Sequence, residues 1–279
     1  MRSDTLDLED HKLRSASRLM LSVVIPARNE EGCIGETLAA LSEALTIERI
    51  EHEIIVVDDG SSDRTFDIVS KLAGTLPALR GVKNTGRHGF GMAIRHGIDQ
   101  VRGDSIVIVM ADGSDSPEDV VACFRKLQEG YECVFGSRFI TGSRIIDYPK
   151  YKLLLNRLAN LFVKIIFRYR YNDTTNAFKM YRSYVVDAMQ PLISPHFNLT
   201  VEMPLKAIIR GYSYAVIPIS WTNRMAGESK LKIKEMGSRY LFIVLYLWLE
   251  RTLSRGDYHR RTLTPVEERI PEDHGTANA

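Results

Sequence analysis

The sequence contains no stretch that stays apolar for the width of a bilayer. Its most hydrophobic run, Tyr240–Leu249 (YLFIVLYLWL), is about half of the ~20 residues that a membrane-crossing helix needs. Residues 1–20 mix acids, bases and serines around no apolar centre, so they do not read as a secretory signal. Cysteine is scarce. Cys33, Cys123 and Cys133 are odd in number and lack metal-ligand spacing, and they read as buried free thiols of a reducing compartment. Neither sign of charge dominates: 37 basic against 35 acidic residues leave a net charge of +2. That balance gives no support to a general nucleic-acid binder, which is normally strongly basic. No internal repeat is present, and neither the dinucleotide fingerprint nor the P-loop occurs.

What is present is an alternation of strand and helix signals through the first half. Leu21–Pro26, Glu53–Val57, Gly81–Lys83, Ser105–Met110 and Tyr131–Gly136 read as strands. Ala27–Leu45, Asp63–Leu72, Phe90–Val101 and Ser116–Gln128 read as the helices between them, with Ser62 or Asp63 capping the second and Ser116 the fourth. Most of these strands are almost continuously hydrophobic, which predicts a mostly parallel central sheet covered by helices on both faces. Ligands bind such sheets beyond the carboxyl ends of the strands. That rule gathers Pro26–Glu30, Asp58–Ser61 and Ala111–Asp115 on one rim. Farther on, Tyr151–Phe167 reads as an amphipathic helix with Lys152, Arg157 and Lys164 on one side, Tyr214–Trp221 as a strand, and Lys232–Arg251 as a helix. The chain divides into a polar extension (1–20), a catalytic domain (21–231), amphipathic C-terminal helix (232–254) and a flexible polar tail (255–279).

Several clusters on that rim carry chemistry. Asp58-Asp59-Gly60-Ser61 places two carboxylates in a tight turn, where they either accept hydrogen bonds from a nucleoside or serve the turn alone. Asp112 and Asp115 suit a hard divalent cation, Mg²⁺ or Mn²⁺, shared with substrate phosphates; Asp115 alternatively caps the helix that Pro117 begins. Asn84–Gly91 is a glycine-rich loop before a helix, in which Gly91 lets backbone approach a nucleotide. His88 and His96 read as ordinary loop and helix residues. Arg224–Lys232 is a basic loop suited to phosphate, or else a solvated charged segment.

Taken in order, Val24–Glu31 (VIPARNEE), Val56–Thr65 (VVDDGSSDRT), Asn84–Ala93 (NTGRHGFGMA), Ala111–Glu118 (ADGSDSPE), Phe135–Phe139 (FGSRF), Asn172–Lys179 (NDTTNAFK) and Arg224–Leu231 (RMAGESKL) resemble the family 2 glycosyltransferases of GT-A fold, in the polyprenyl-phosphate, dolichol-phosphate mannose synthase-like branch. The resemblance implies that Pro26, Arg28, Glu30, Asp58 and Asp59 hold the donor nucleoside. It implies that Asp112 is the second carboxylate of the D-x-D metal motif. Arg138, Arg224 and Lys230 then surround donor and acceptor phosphates, and Asp173, Thr174 and Thr175 lie on the acceptor side. The chain departs from the pattern at Arg28, where an aromatic is usual, at Ser114, often glutamine, and at Met110, which replaces the first aspartate of D-x-D. A thioether is a poor ligand for Mg²⁺ or Mn²⁺.

These readings lead to inverting transfer of a sugar from a nucleotide-diphosphate donor, GDP-mannose before UDP-sugars, to a polyprenyl phosphate. Such an acceptor is already anionic and needs no general base. Transfer to a sugar hydroxyl would need one, with Glu202 or Asp173 as candidates. A sugar-nucleotide pyrophosphorylase or an inactive nucleotide-sugar-binding module are the readings outside this chemistry. The chain is expected in the cytoplasm, peripheral to a membrane. Tyr240–Leu249 either lies at that interface or packs in a core or dimer.

Overall fold

A computed structural model describes residues 19–222 and 233–260. The first half runs β1 (Leu21–Ala27), α1 (Ile34–Ile47), β2 (His52–Asp58), α2 (Thr65–Ala73), β3 (Leu79–Lys83), α3 (Phe90–Ile98), β4 (Ser105–Ile108), α4 (Pro117–Gln128) and β5 (Cys133–Ser137). The second half adds β6 (Arg144–Ile146), α5 (Lys150–Phe167), β7 (Lys179–Arg182), α6 (Ser183–Ala188), α7 (Leu199–Ile209), β8 (Tyr214–Pro218), β9 (Ser220–Thr222) and α8 (Ile233–Leu253). The main sheet has the order β3-β2-β1-β4-β7-β5-β8. Every pairing in it is parallel except those of β7, which runs antiparallel between β4 and β5. The α/β architecture with a mostly parallel sheet is thus the one the hydrophobic runs predict.

Side chains alternate across the pleat, so each inner strand feeds two cores. Leu21, Val23 and Ile25 of β1 pack with Leu38 and Leu41 of α1 and Phe124 of α4. Val24, between them, faces Ile94 and Ile98 of α3 on the other side. This two-sided burial is why β1, β2 and β4 read as unbroken apolar runs.

Several expectations change in detail. Helix α1 begins at Ile34, not Ala27, because Asn29 takes a left-handed conformation (φ 55°) and its neighbours are held by another loop. The Asn29 and Glu30 amides donate to Ser61 Oγ (3.0 Å) and Thr65 Oγ1 (2.8 Å). Arg64, not Ser62 or Asp63, takes the N-cap position of α2; Asp63 stands one residue before it and accepts from the Thr65 amide at 3.0 Å. The Ser116 hydroxyl turns instead to Glu118. The run Tyr214–Trp221 is two strands: β8 closes the main sheet, and β9 pairs with β6 in a small parallel sheet. Cys123 and Cys133 are buried free thiols, whereas Cys33 is only half-buried.

The expected helix over Tyr151–Phe167 is present as α5, but much of its apolar surface faces outward. Leu154, Leu155, Leu158, Leu161, Phe162 and Ile165 are exposed. Helix α8 splits its run between two faces: Ile243, Val244 and Leu247 are buried in the core that includes Val163 and Phe167 of α5, while Phe242, Leu245, Trp248 and Leu249 are exposed. Each of the two helices therefore leaves an apolar face uncovered.

Candidate active site

The loops after β1, β2 and β4 meet at one rim, as the sheet rule requires. Pro26 ends inside β1 and Arg28 is exposed just beyond it. The Asp59 amide donates to Ala27 O at 2.8 Å, tying the two rims together. Asp58 Oδ1 accepts from the Ser61 amide at 3.1 Å, which holds the turn around Gly60 (φ 76°). Asp59 is spent differently. Its Oδ1 accepts from Asn84 Nδ2 (2.7 Å), its Oδ2 from the Gly89 amide (2.8 Å), and His88 Nδ1 lies 3.2 Å from Oδ1. Asp59 thus anchors the glycine-rich loop beside Asp58. His88, read as an ordinary loop residue, belongs to this same corner; its ring packs so closely on Gly60 that a Cβ there would meet it at 2.9 Å.

Gly91 faces the protein's own backbone. A Cβ at this position would overlap Ser194 O and lie 2.9 Å from the Pro195 carbonyl carbon, and Phe90 stacks on Phe197 nearby at 4.1 Å. Its lack of a side chain is accounted for by this packing, with no appeal to a nucleotide. Gly91→Ala is expected to destabilise the fold by roughly 1–3 kcal/mol through overpacking, read as a drop in thermal midpoint.

The Ser194–His196 segment is itself pinned from beneath. Glu202, fully buried, accepts from the Ile193 and Ser194 amides at 2.8 Å each and pairs with Lys206 at 2.7 Å. Both of its oxygens are committed to these internal partners.

At the centre, Asp112 and Asp115 are both buried. Asp112 Oδ1 accepts from the Ser114 amide at 3.1 Å and Asp115 Oδ2 from the Met110 amide at 2.9 Å. Thr37 Oγ1 donates to Ala111 O (3.2 Å) and steadies the loop. Burial lifts the Asp115 pKa to about 7, against the Met110 hydrogen bond and with help from the charge of Asp112. A divalent cation would relieve that strain between two buried carboxylates. Among the described residues no group of three His, Cys, Asp or Glu side chains surrounds a metal position. The Asp112–Asp115 pair would supply two carboxylates to a cation whose other ligands come from substrate phosphates and water.

Arg138 closes the far side of the rim. Its Nε and Nη2 donate to Asp173 at 2.9 and 2.8 Å, and its own amide donates to Asp173 at 2.9 Å. Burial alone would lower the Arg138 pKa, but the charge and hydrogen bonds of Asp173 outweigh it and raise the pKa, so the guanidinium stays charged. Nη1 is the nitrogen outside this fork. Asp173 is fully buried, and like Glu202 it is committed rather than poised as a base. Thr174 and Thr175 follow it: Tyr169 Oη meets Thr174 Oγ1, while Asn156 and Asn160 of α5 both donate to Thr175 Oγ1 at 3.0 Å. Trp221 of β9 bridges to Asp115 and contacts Tyr148 at 4.8 Å, a neighbour that no sequence motif signalled. Arg224 and Lys230 lie outside the described residues.

Comparison with known proteins agrees with this fold. The family described as Glycosyl transferase family 2 matches residues 22–190. A polyprenol monophosphomannose synthase of Mycolicibacterium smegmatis is 30% identical over 220 residues, covering 75% of this chain and 80% of that protein. A dolichol-phosphate mannosyltransferase of Pyrococcus furiosus is 29% identical over 220 residues; the match covers 77% of this chain but only 60% of that protein's length. Among solved structures, glucosyl-3-phosphoglycerate synthase of Mycobacterium tuberculosis, in complex with Mn²⁺, UDP and phosphoglyceric acid, superposes with a TM-score of 0.62 at 20% identity, covering 86% of this chain and 81% of that one. This last likeness concerns the fold.

Proposed function

The chain belongs to glycosyl transferase family 2, and from that premise we propose that it transfers a hexose, with inversion, from a nucleotide-diphosphate donor to a polyprenyl monophosphate. The donor side is the rim of Pro26, Arg28, Glu30, Asp58 and Asp59, and the relatives' names favour a mannose donor, GDP-mannose before UDP-sugars. Asp112 and Asp115 would hold the divalent cation, which when bound neutralises charge on the departing diphosphate.

One observation carries the choice of a lipid phosphate. Helix α5, with its exposed apolar face, is hydrogen-bonded through Asn156 and Asn160 to Thr175, two residues from the Asp173 that holds Arg138. A cationic group that suits phosphate is thus linked through one turn to the inner, polar side of a helix whose outer side suits hydrocarbon. The acceptor is a phosphate anion, so the attacking oxygen needs no base, and the commitment of Glu202 and Asp173 to internal partners agrees with that chemistry. The apolar faces of α5 and α8 would rest on a membrane surface; among the described residues no helix is long and apolar enough to cross one.

The test is incubation of purified protein with a labelled nucleotide-sugar, Mn²⁺ and a polyprenyl phosphate. Label is expected in the organic phase, with GDP-mannose the best donor. Arg224→Ala and Lys230→Ala are expected to abolish the transfer while the thermal midpoint stays in place. Label that remains aqueous with every donor overturns the acceptor assignment, and unchanged activity in both variants removes those residues from it.

A further inference from the structure

Strand β7 is the one antiparallel member of the sheet, and it begins with a lysine. Lys179 pairs with Ile108 of β4 on one side and with Phe135 of β5 on the other. Ile108 ends β4 and Phe135 lies midway along β5, three residues before Arg138, so Lys179 lies beneath the rim that carries Asp112 and Arg138. Its side chain is almost completely buried. A buried ammonium is tolerated only when its donors are satisfied and its charge is balanced.

The acceptor side satisfies the donors. Lys179 Nζ donates to Thr174 O at 3.1 Å and to Asn176 O, gripping the turn 173–176 at two carbonyls. The first residue of that turn, Asp173, holds the Arg138 guanidinium and amide. The ring of Tyr171 lies 5.8 Å from Nζ. Burial draws the Lys179 pKa down to about 7; the charges of Asp173 and Asp115 oppose this and that of Arg138 adds to it. Lys179 thus feels the groups on either side of the reaction centre, while its hydrogen bonds go to the turn on one of them.

We propose that Lys179 is a positioning residue for the phosphate acceptor: by clamping the 173–176 turn it fixes Asp173, and through Asp173 the direction in which Arg138 presents its guanidinium. This rests on the reading of the acceptor as a phosphate monoester and names the residue that orients its binding group. The donor side, built on Asp58, Asp59 and the glycine-rich loop, does not depend on the clamp.

Two substitutions separate the clamp from general stability. Lys179→Met keeps the unbranched stem, one atom shorter, and loses both hydrogen bonds; Lys179→Gln keeps a donor without the charge. With farnesyl phosphate as a soluble acceptor, Lys179→Met is expected to raise the acceptor KM by about tenfold or more, as displaced binding groups do, with the KM for the nucleotide-sugar unchanged. Lys179→Gln recovers part of the difference. Amide hydrogen exchange provides a readout independent of turnover: the Arg138 amide and residues 173–178 lose protection in Lys179→Met, while β1 and β2 keep theirs. An unchanged acceptor KM together with intact protection at Arg138 overturns the proposal, as does a parallel rise of both KM values. If Lys179→Met does not fold, Lys179→Gln is judged by the same criteria. A wild-type protein that ignores farnesyl phosphate and longer prenyl phosphates counts against the acceptor assignment, and the exchange pattern still decides whether the clamp exists.

Discussion

Replacing Asp112 by asparagine is expected to lower kcat/KM for sugar transfer by roughly 10²–10³-fold, the usual effect of removing one electrostatic contact to a developing charge, with little change in folding. The structure explains why the two effects separate. The Asp112 side chain accepts from the Ser114 amide at 3.1 Å, and an asparagine carbonyl oxygen accepts equally well, so the loop keeps its shape. What disappears is the negative charge. That charge also acts on Asp115, whose pKa it helps to raise, so the variant leaves Asp115 easier to ionise and somewhat compensated. With Met110 where a further carboxylate is usual, little remains to replace Asp112 as a ligand. A Mn²⁺ titration of activity is expected to show a much weaker requirement constant in Asp112→Asn than in the wild type, and chelation of divalent ions to silence both. Wild-type turnover in the asparagine variant would remove Asp112 from the chemistry.

The sequence made one side of this site far easier to read than the other. Strands β1, β2 and β4 are buried on both faces, so their hydrophobic runs stood out, and each ends in the polar loop that forms the donor rim. The acceptor side hides its logic. Strand β7 is four residues long with a basic residue at each end (Lys179 and Arg182), a pattern that resembles no buried strand, although it lies in the middle of the sheet. Lys179 is tolerated there only because two carbonyls of a neighbouring turn receive its donors. Helix α7 carries Pro204 within it, and a proline interrupts the helical signal by removing an amide donor. The Arg138–Asp173 fork joins residues 35 apart in sequence, and such a pairing has no local signature. Gly91 shows another limit: a glycine in a glycine-rich loop suggested a ligand, and only the structure reveals that the Ser194 and Pro195 backbone already requires it.

Arg138 and Asp173 permit a sharper experiment than a single deletion, because stability and function are expected to part company there. Arg138→Met leaves the fully buried Asp173 without its counter-ion. Breaking a buried pair in this way costs about 3–5 kcal/mol, a fall in thermal midpoint on the order of ten degrees for a chain of this size. Asp173→Leu alone strands the guanidinium and is expected to cost a similar amount. The double variant Arg138→Met/Asp173→Leu removes both charges, and hydrophobic replacement of a whole buried pair is often neutral or stabilising, so most of the lost stability should return. Transfer to a prenyl phosphate should not return with it. On the proposed reading the guanidinium edge outside the Nε and Nη2 fork meets the acceptor anion, and methionine offers none. Measured as a double-mutant cycle, stability therefore shows a large coupling between the two positions, while activity is low in both Arg138→Met proteins whatever stands at 173. A double variant that recovers transfer along with its melting temperature would make the pair a structural element alone and would move the phosphate-binding role to other cations of the acceptor side.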